Sequence, residues 1–156
     1  MKTRLSRWLL CAAALLTLAA CDDDKRQESP DYPSQVPAAV AQTLASRYPS
    51  ARYVSSETLP DGRLLVTIRD GDTQKEAYFT ADDRWIQTRW PVAESALPEA
   101  VRSALASDPA FAGYTFDFCH FVEYPSGVNA YRINLKKEGS LDLVADLAPD
   151  GSMIPG

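Results

Sequence analysis

Apolar residues follow two periods along this chain, and the change of period separates helices from strands. Val40 and Leu44 stand four apart after Pro37, which is typical of one face of a short helix, and Pro49 ends that helix. Beyond residue 50 the apolar positions alternate with polar ones, as in half-buried strands. Turns such as Pro60-Asp61-Gly62 separate the alternating runs, and the pattern predicts strands over residues 51–58, 63–69, 74–80 and 84–90.

The same order of elements returns in the second half of the chain. Leu97-Pro98-Glu99-Ala100-Val101 repeats Val36-Pro37-Ala38-Ala39-Val40 at an offset of 61 residues. Self-similarity at such a spacing indicates a repeated supersecondary unit. Turns also recur in order, at Pro125-Ser126-Gly127, Glu138-Gly139 and Pro149-Asp150-Gly151. We therefore predict two tandem units, residues 36–92 and 97–156, each with one helix and four antiparallel strands, the second with strands over 114–124, 128–136 and 140–147 and a stub at 152–154.

Eight strands in two antiparallel sets with two short helices predict an α+β fold. One curved antiparallel sheet should carry the helices on one face and leave the other face open to solvent. Alternation assigns these apolar residues to the helix side: Leu64, Val66, Ile68, Phe79, Phe118, Ile133 and Leu143. It assigns to the open face Leu65, Arg69, Tyr78, Phe121 and Arg132, joined by Trp85 with Arg89 or, in the other register, by Trp90 with Arg84.

Aromatic and arginine side chains are enriched in the cores of protein interfaces. The sequence therefore predicts a partner-binding surface that includes Tyr78, Trp85, Phe121 and Arg132. The competing interpretation is that these are scattered surface aromatics, which are common on proteins without a partner.

The distribution of charge disfavours nucleic acid as a partner. Lys2, Arg4 and Arg7 fall in the first twenty residues, so the rest of the chain carries 13 basic against 21 acidic residues, a net charge of −8. Binding to a phosphate backbone requires a basic stripe or patch. We expect neither DNA nor RNA to bind.

Residues 1–20 have the features of a secretory signal peptide. A basic start precedes an apolar run over residues 8–20, which is too short to span a bilayer as a helix. The following Leu18-Ala19-Ala20-Cys21 resembles the lipobox of bacterial lipoproteins, in which cleavage leaves the cysteine at the new N-terminus for lipidation. An ordinary secretory signal with an incidental cysteine is the alternative. The resemblance implies a membrane anchor through a lipid on Cys21.

Two features after the lipidation site bear on localisation. Asp22 occupies the position at which an aspartate resembles the inner-membrane retention signal of enteric lipoproteins, although acidic runs there resemble surface-export signals in other bacteria. We expect a lipid-anchored, periplasm-facing protein of the cell envelope, at the inner rather than the outer membrane. Residues 21–35 are polar and contain Pro30 and Pro33, which predicts a flexible tether.

The helix starts and turns together resemble a known family. The pattern aliphatic-Pro-x-Ala-Val-x-x-x-Leu, the breaks at Tyr48-Pro49 and Asp108-Pro109, and strands separated by Asp-Gly turns are similar to the PepSY-like family. That family is described as similar in fold to the beta-lactamase inhibitory protein. The resemblance covers residues 36–156 and carries no catalytic residues. It implies a structural module, and it does not imply inhibition of a beta-lactamase.

Candidate chemistry is sparse in the sequence. Cys119 and His120 suggest a nucleophile–base pair, but neighbouring residues of a strand point to opposite faces. Asp117, Cys119 and Glu123 could share a face as metal ligands, although their spacing is that of a solvated strand face. We therefore expect no enzymatic activity, no metal and no cofactor.

The function predicted from these observations is a lipid-anchored periplasmic binding module. Its open sheet face would contact a protein or peptide. The alternative is a lipoprotein that binds a small molecule between sheet and helices, or an accessory protein of the envelope stress response.

Overall fold

Two helices and seven strands follow one another in the order predicted by the two periods. The structure is a computed structural model that describes residues 32–155. The predicted signal peptide, Cys21, Asp22 and all but the end of the tether lie outside these residues. The elements are helix α1 (Ala38–Arg47), strands β1 (Arg52–Thr58), β2 (Leu64–Asp70), β3 (Thr73–Phe79) and β4 (Trp85–Pro91), helix α2 (Glu99–Ser107), and strands β5 (Thr115–Glu123), β6 (Asn129–Lys136) and β7 (Leu143–Leu147).

Both helices begin in the same way. Pro37 and Pro98 precede the first helical residues with almost equal backbone angles, φ −54° and ψ 142° or 148°. The carbonyl of each proline accepts the first helical hydrogen bond, from the N–H of Ala41 and of Arg102, both at 3.0 Å. Proline lacks an N–H but keeps its carbonyl, so it can stand at a helix start without losing a hydrogen bond. The repeated motif is thus a repeated helix start.

All strands form one antiparallel sheet in the order β1-β2-β3-β4-β5-β6-β7. The predicted α+β class and antiparallel sheet are confirmed. The predicted eighth strand, residues 152–154, is reduced to a single bridge between Leu147 and Met153. Residues 140–142, which are predicted to belong to the last full strand, lie outside β7, and Leu141 is 89% exposed. The alternating sequence pattern therefore extends beyond the strand itself.

Turns at matching places in the two halves share a backbone conformation. Gly62 and Gly127 have φ of 83° and 78°, Gly71 and Gly139 have 59° and 70°, and Asp83 and Gly151 have 61° and 84°. This left-handed region favours glycine, and Asp is among the residues that tolerate it. The turns that recur in the sequence therefore also share their backbone conformation.

Three β-bulges interrupt the alternation of faces. In β1 the extra residue is Val54, in β4 it is Ile86, and in β5 it is Asp117, because in each case the partner strand advances one residue while the bulged strand advances two. Each bulge exchanges the faces of the residues beyond it. Predictions that depend on strict alternation fail at these points.

Each helix covers its own core on the same side of the sheet. Val40 and Leu44 of α1 are fully buried among side chains of β2 and β3, including Val66, Ile68 and Phe79. The second core packs α2 and the preceding turn against β5, β6 and β7; its buried members are Leu97, Val101, Phe111, Cys119, Ile133, Leu135, Ala145 and Leu147. Each unit thus buries apolar area beneath its own helix.

Gly151 provides a test of how the last turn docks on α2. A Cβ at Gly151 would lie 2.5 Å from the carbonyl oxygen of Ala100, whereas one at Gly62, with nearly the same φ, would meet nothing within 4 Å. We expect Gly62→Ala to lower the free energy of unfolding by about 1 kcal/mol through backbone strain. Gly151→Ala should cost about 1–3 kcal/mol more because of the clash. Urea denaturation measures both, and equal losses would show that the turn moves freely away from α2.

Candidate functional site

The strand register decides which side chains lie on the sheet surface away from the helices, here called the open face. Residues directly opposite in an antiparallel pair share a face. Ile133 belongs to the core beneath α2 and is opposite Cys119, so the residue after Cys119 and the residue before Ile133 lie on the open face. By this rule, the open face of the second half carries Phe118, His120, Val122, Ala130, Arg132, Asn134, Val144 and Asp146.

An exposed apolar pair lies on this part of the open face. Phe118 is 46% exposed and Val144 is 55% exposed. They occupy β5 and β7 on either side of Asn134, which is opposite both. The ring of Phe118 also meets the His120 ring edge-on, with centroids 5.6 Å apart. This places two apolar side chains, partly free of contacts, next to a titratable group.

Arg132 is held beside them in a fixed position. Its Nε and Nη2 atoms donate to both carboxylate oxygens of Asp146 on β7, at 2.8 and 2.6 Å. This two-point pairing raises the pKa of the guanidinium, chiefly through the hydrogen bonds to Asp146. A forked pair of this kind orients the planar group as well as neutralising it. The predicted outward orientation of Arg132 is correct.

Tyr78 lies on the open face in the first half but is almost covered. It is 7% exposed, with the guanidinium carbons of Arg63 and Arg89 at 5.7 and 5.0 Å from its ring centroid. Its hydroxyl donates to Glu76 Oε2 at 2.9 Å, and Arg89 Nε donates to the same oxygen at 2.8 Å. Burial and the Glu76 hydrogen bond raise the pKa of Tyr78 to about 12. Tyr78 therefore holds Glu76 in place by a hydrogen bond, and it offers little exposed area for contact with a partner.

His120 joins the two halves of the open face electrostatically. Burial lowers the pKa of His120, and the nearby charge of Arg89 lowers it further, against an opposing effect of Glu76. Burial would by itself raise the pKa of Glu76, but hydrogen bonds from Arg89 and Tyr78 hold it below its usual value. The network is thus most stable with Glu76 charged and His120 neutral.

Two of the four predicted contact residues lie on the other side of the sheet, so their assignment to the open face is wrong. Phe121 is opposite Trp90 of β4 and Tyr131 of β6, and it contacts both rings with centroid distances of 4.9 Å. Tyr131 packs against the second core, which fixes this cluster on the helix side. The error for Phe118 is the opposite of that for Phe121. Phe118 is predicted to face the helices, but it lies on the open face.

The assignment of Trp85 to the open face is wrong for a different reason. It packs against the core beneath α1, and the guanidinium carbon of Arg47 lies 3.4 Å from its ring centroid. Strict alternation would put Trp85 and Trp90, five residues apart, on opposite faces. The bulge at Ile86 puts both on the helix side, so neither of the two predicted registers is present. Arg89 alone of those alternatives faces outward from β4.

The helix-side aromatic residues bridge the two halves. Lys75 Nζ lies 4.5 Å from the ring centroid of Tyr48 and 4.4 Å from that of Trp90, and it also pairs with Asp70 at 2.8 Å. The Tyr48 hydroxyl donates a hydrogen bond to Glu123. Burial and this hydrogen bond raise the pKa of Tyr48 to about 12. These contacts join the end of α1 to β5.

The candidate catalytic and metal residues do not converge. Cys119 is buried in the second core, and burial raises the pKa of its thiol to about 12, so it is a poor nucleophile. His120 points to the opposite face. Asp117 pairs with Lys136 at 3.0 Å, and Glu123 accepts from Tyr48. Within residues 32–155, no three His, Cys, Asp or Glu side chains are grouped as a metal site would require.

A cavity of about 440 Å³ opens beside α2. Leu97, Leu105, Phe111, Phe116 and Leu135 supply an apolar lining, and Glu94, Arg102 and Tyr114 add polar groups. Its volume falls in the range of small-molecule sites. Arg102, however, already pairs with Glu99 at 2.6 Å.

In the part of the chain that is described, neither helix is long and apolar enough to cross a bilayer.

Comparison with known proteins defines the class of fold. The chain is similar to a BLIP-like protein from Bacteroides fragilis, with a TM-score of 0.65 and 20% identity over 80% of this chain and 85% of that one. It is similar to a DUF2874 family protein from Bacteroides ovatus, with a TM-score of 0.64 and 21% identity over 80% and 86%. BLIP denotes the beta-lactamase inhibitory protein, and the beta-lactamase-inhibitor-like fold implied by the sequence is confirmed.

A third similar structure is a protein from Bacteroides eggerthii that is provisionally described as periplasmic. Its TM-score is 0.57 at 18% identity, over 77% of this chain and 86% of that one. No family model and no curated protein matches the chain. At these identities the likeness concerns the fold, and function resides in the residues that the fold presents at its surface.

His120 should make the stability of the protein depend on pH. Because its pKa is lower in the folded than in the unfolded state, the unfolded chain binds more protons and folding weakens as the pH falls below about 6.5. We expect the free energy of unfolding to fall more between pH 7.5 and pH 5 for the wild type than for His120→Gln. Since the chain contains one histidine, the difference isolates His120. Parallel profiles in urea denaturation would contradict the prediction.

Proposed function

We propose that this protein is a non-catalytic, lipid-anchored binding module of the bacterial periplasm that contacts a protein or peptide through its open face. The observation that carries the proposal is the exposed pair Phe118 and Val144 beside the fixed Arg132–Asp146 pair. Exposed apolar groups next to oriented arginines are the composition of interface cores. The binding residues are then Phe118, Arg132 and Val144, with Tyr78 as support, in place of Phe121 and Trp85.

The fold is compatible with such a role. An antiparallel sheet with both helices on one side leaves its other side for contact. The BLIP-like name of one structural neighbour belongs to a protein-binding type of fold. This supports a protein as the class of partner.

The anchor and the location rest on the N-terminal sequence. Lipidation of Cys21 and inner-membrane retention through Asp22 are proposed from the lipobox-like Leu18-Ala19-Ala20-Cys21 and the residue after it. A periplasm-facing location agrees with the description of the Bacteroides eggerthii neighbour. Membership in the PepSY-like family is proposed from the repeated helix-start motif and the order of the turns.

Capture of a partner from bacterial membranes tests the open face. We expect the double variant Phe118→Ala, Arg132→Ala to recover at least tenfold less of any partner that the wild type captures, because apolar contact and oriented charge are both lost. The matched control is Leu141→Ala, Arg102→Ala, which also removes one exposed apolar residue and one half-exposed, ion-paired arginine, with Arg102 and Arg132 at 45% and 41% side-chain exposure. Equal recovery by both double variants would refute the open face as the binding surface.

The cavity beside α2 supports a second candidate function, the binding of a small molecule. Its apolar lining and about 440 Å³ of space favour an amphipathic ligand. If this is the function, Leu105→Trp should abolish ligand retention while the Phe118 and Arg132 variants retain it.

The lipid anchor has its own test. Cys21→Ser removes the thiol that accepts the lipid, so the variant should either leave the membrane fraction or keep its uncleaved signal peptide. Fractionation and intact mass measurement distinguish these forms from the wild type. Membrane association with normal cleavage in the variant would contradict lipidation at Cys21.

A further inference from the structure

Two arginines face each other at one corner of the open face. Arg52 of β1 and Arg69 of β2 are directly opposite partners, and both are exposed. Like charges at directly opposite positions destabilise a strand pair. No carboxylate within residues 32–155 forms an ion pair with either guanidinium. The corner thus carries two positive charges that the described residues do not neutralise.

Two other arginines on the open face form ion pairs. Arg89 pairs with Glu76 at 2.8 Å, and Arg132 pairs with Asp146 at 2.6 Å. The excess positive charge is therefore confined to the β1–β2 corner. This is unexpected in a chain whose formal net charge is −5. A negatively charged group from outside the described residues would relieve the repulsion there.

The charged corner and the exposed apolar pair lie at a defined separation on the same face. Three strand spacings, about 14 Å, separate Arg69 on β2 from Phe118 on β5 across the sheet, and Phe118 is also offset by two residues along the strands, so the two positions are about 16 Å apart. An extended peptide rises about 3.3 Å per residue, so about five residues cover that distance. The face has a cationic end and an apolar end within reach of one short segment.

We propose that the open face binds an extended acidic segment of a partner protein, with its carboxylates on Arg52 and Arg69 and an apolar side chain on Phe118 and Val144. Arginine suits the charged end because its planar fork accepts a carboxylate at two points. The inference rests on the proposed function, since it takes the open face as the docking surface, and it adds the chemistry of the partner.

Three fluorescent eight-residue peptides test the charge and the spacing. Each carries Leu-Phe at one end and a four-residue Ser-Gly spacer, and they differ in having two glutamates, two lysines or two serines at the other end. We expect the purified full-length protein to bind the glutamate peptide at least tenfold more tightly than the other two at low salt, measured by fluorescence anisotropy. Equal affinity for the glutamate and serine peptides would overturn the acidic class of partner.

Variants locate the binding. Arg52→Ser, Arg69→Ser should weaken binding of the glutamate peptide about tenfold, whereas Arg47→Ser, Arg102→Ser, which removes one arginine from each helix on the other side of the sheet, should leave it unchanged. Equal losses in the two double variants would overturn the proposal. Binding of phosphatidylglycerol vesicles that depends on Arg52 and Arg69, without peptide binding, would assign the corner to a membrane surface and overturn it as well.

Arg69→Glu separates loss of binding from loss of folding. It replaces a like-charge pair with an opposite-charge pair, so we expect the unfolding temperature to rise by about 1–3 °C while binding of the glutamate peptide is lost. A lower unfolding temperature would show that the arginines do not repel each other. If the serine peptide binds the wild type as tightly as the glutamate peptide and loses affinity in Phe118→Ala, this inference fails and the proposed function stands. If no peptide binds and membrane capture is also insensitive to Phe118 and Arg132, both fail.

Discussion

The pairing of β4 with β5 is the constraint on which the rest of the structure depends. Residues 88–91 pair with residues 120–123 and continue one sheet across the two units. Because Trp90 is opposite Phe121 on the helix side, His120 lies on the open face, and the partners in β6 and β7 follow from it. A slip of one residue here would exchange the core beneath α2 with the surface proposed to bind a partner. The hydrogen bond from Tyr48 to Glu123 and the contact of Lys75 with Trp90 reinforce this pairing from the first unit.

Most charged groups on the open face between β3 and β7 form ion pairs, which distinguishes them from the arginines of β1 and β2. Glu76 is bound by both Arg89 and Tyr78, and Arg132 is fixed by Asp146. Such pairs orient side chains and contribute little net charge. By contrast, Phe118 and Val144 are exposed, and neither Arg52 nor Arg69 forms an ion pair with a carboxylate of residues 32–155. Cys119 is the opposite case, since it is buried in the second core and burial raises the pKa of its thiol.

Similarity to solved structures constrains the fold and leaves the chemistry to the surface. At 20–21% identity to the BLIP-like and DUF2874 family proteins, the similarity is one of fold. A scaffold of this kind can present different residues on its free face without altering its core. The proposed function of this chain therefore depends on side chains such as Phe118 and Arg132, which the repeated motif does not include.

The sequence alone determined the class of fold and the order of the elements, because helix starts, turns and alternation are local properties. Pro37 and Pro98 mark the helices, and the glycine turns mark the strand ends. It also predicted that Tyr78 and Arg132 face away from the helices. The faces of Phe118, Phe121 and Trp85 were decided only by the tertiary structure. Because β5 has aromatic residues on both faces, the pattern does not show which of its residues face the helices. The bulges at Ile86 and Asp117 also shift the alternation, and no distinctive residue type marks them in the sequence. Which face a side chain occupies depends on its cross-strand partner, and that partner lies too far along the chain for a local pattern to identify it.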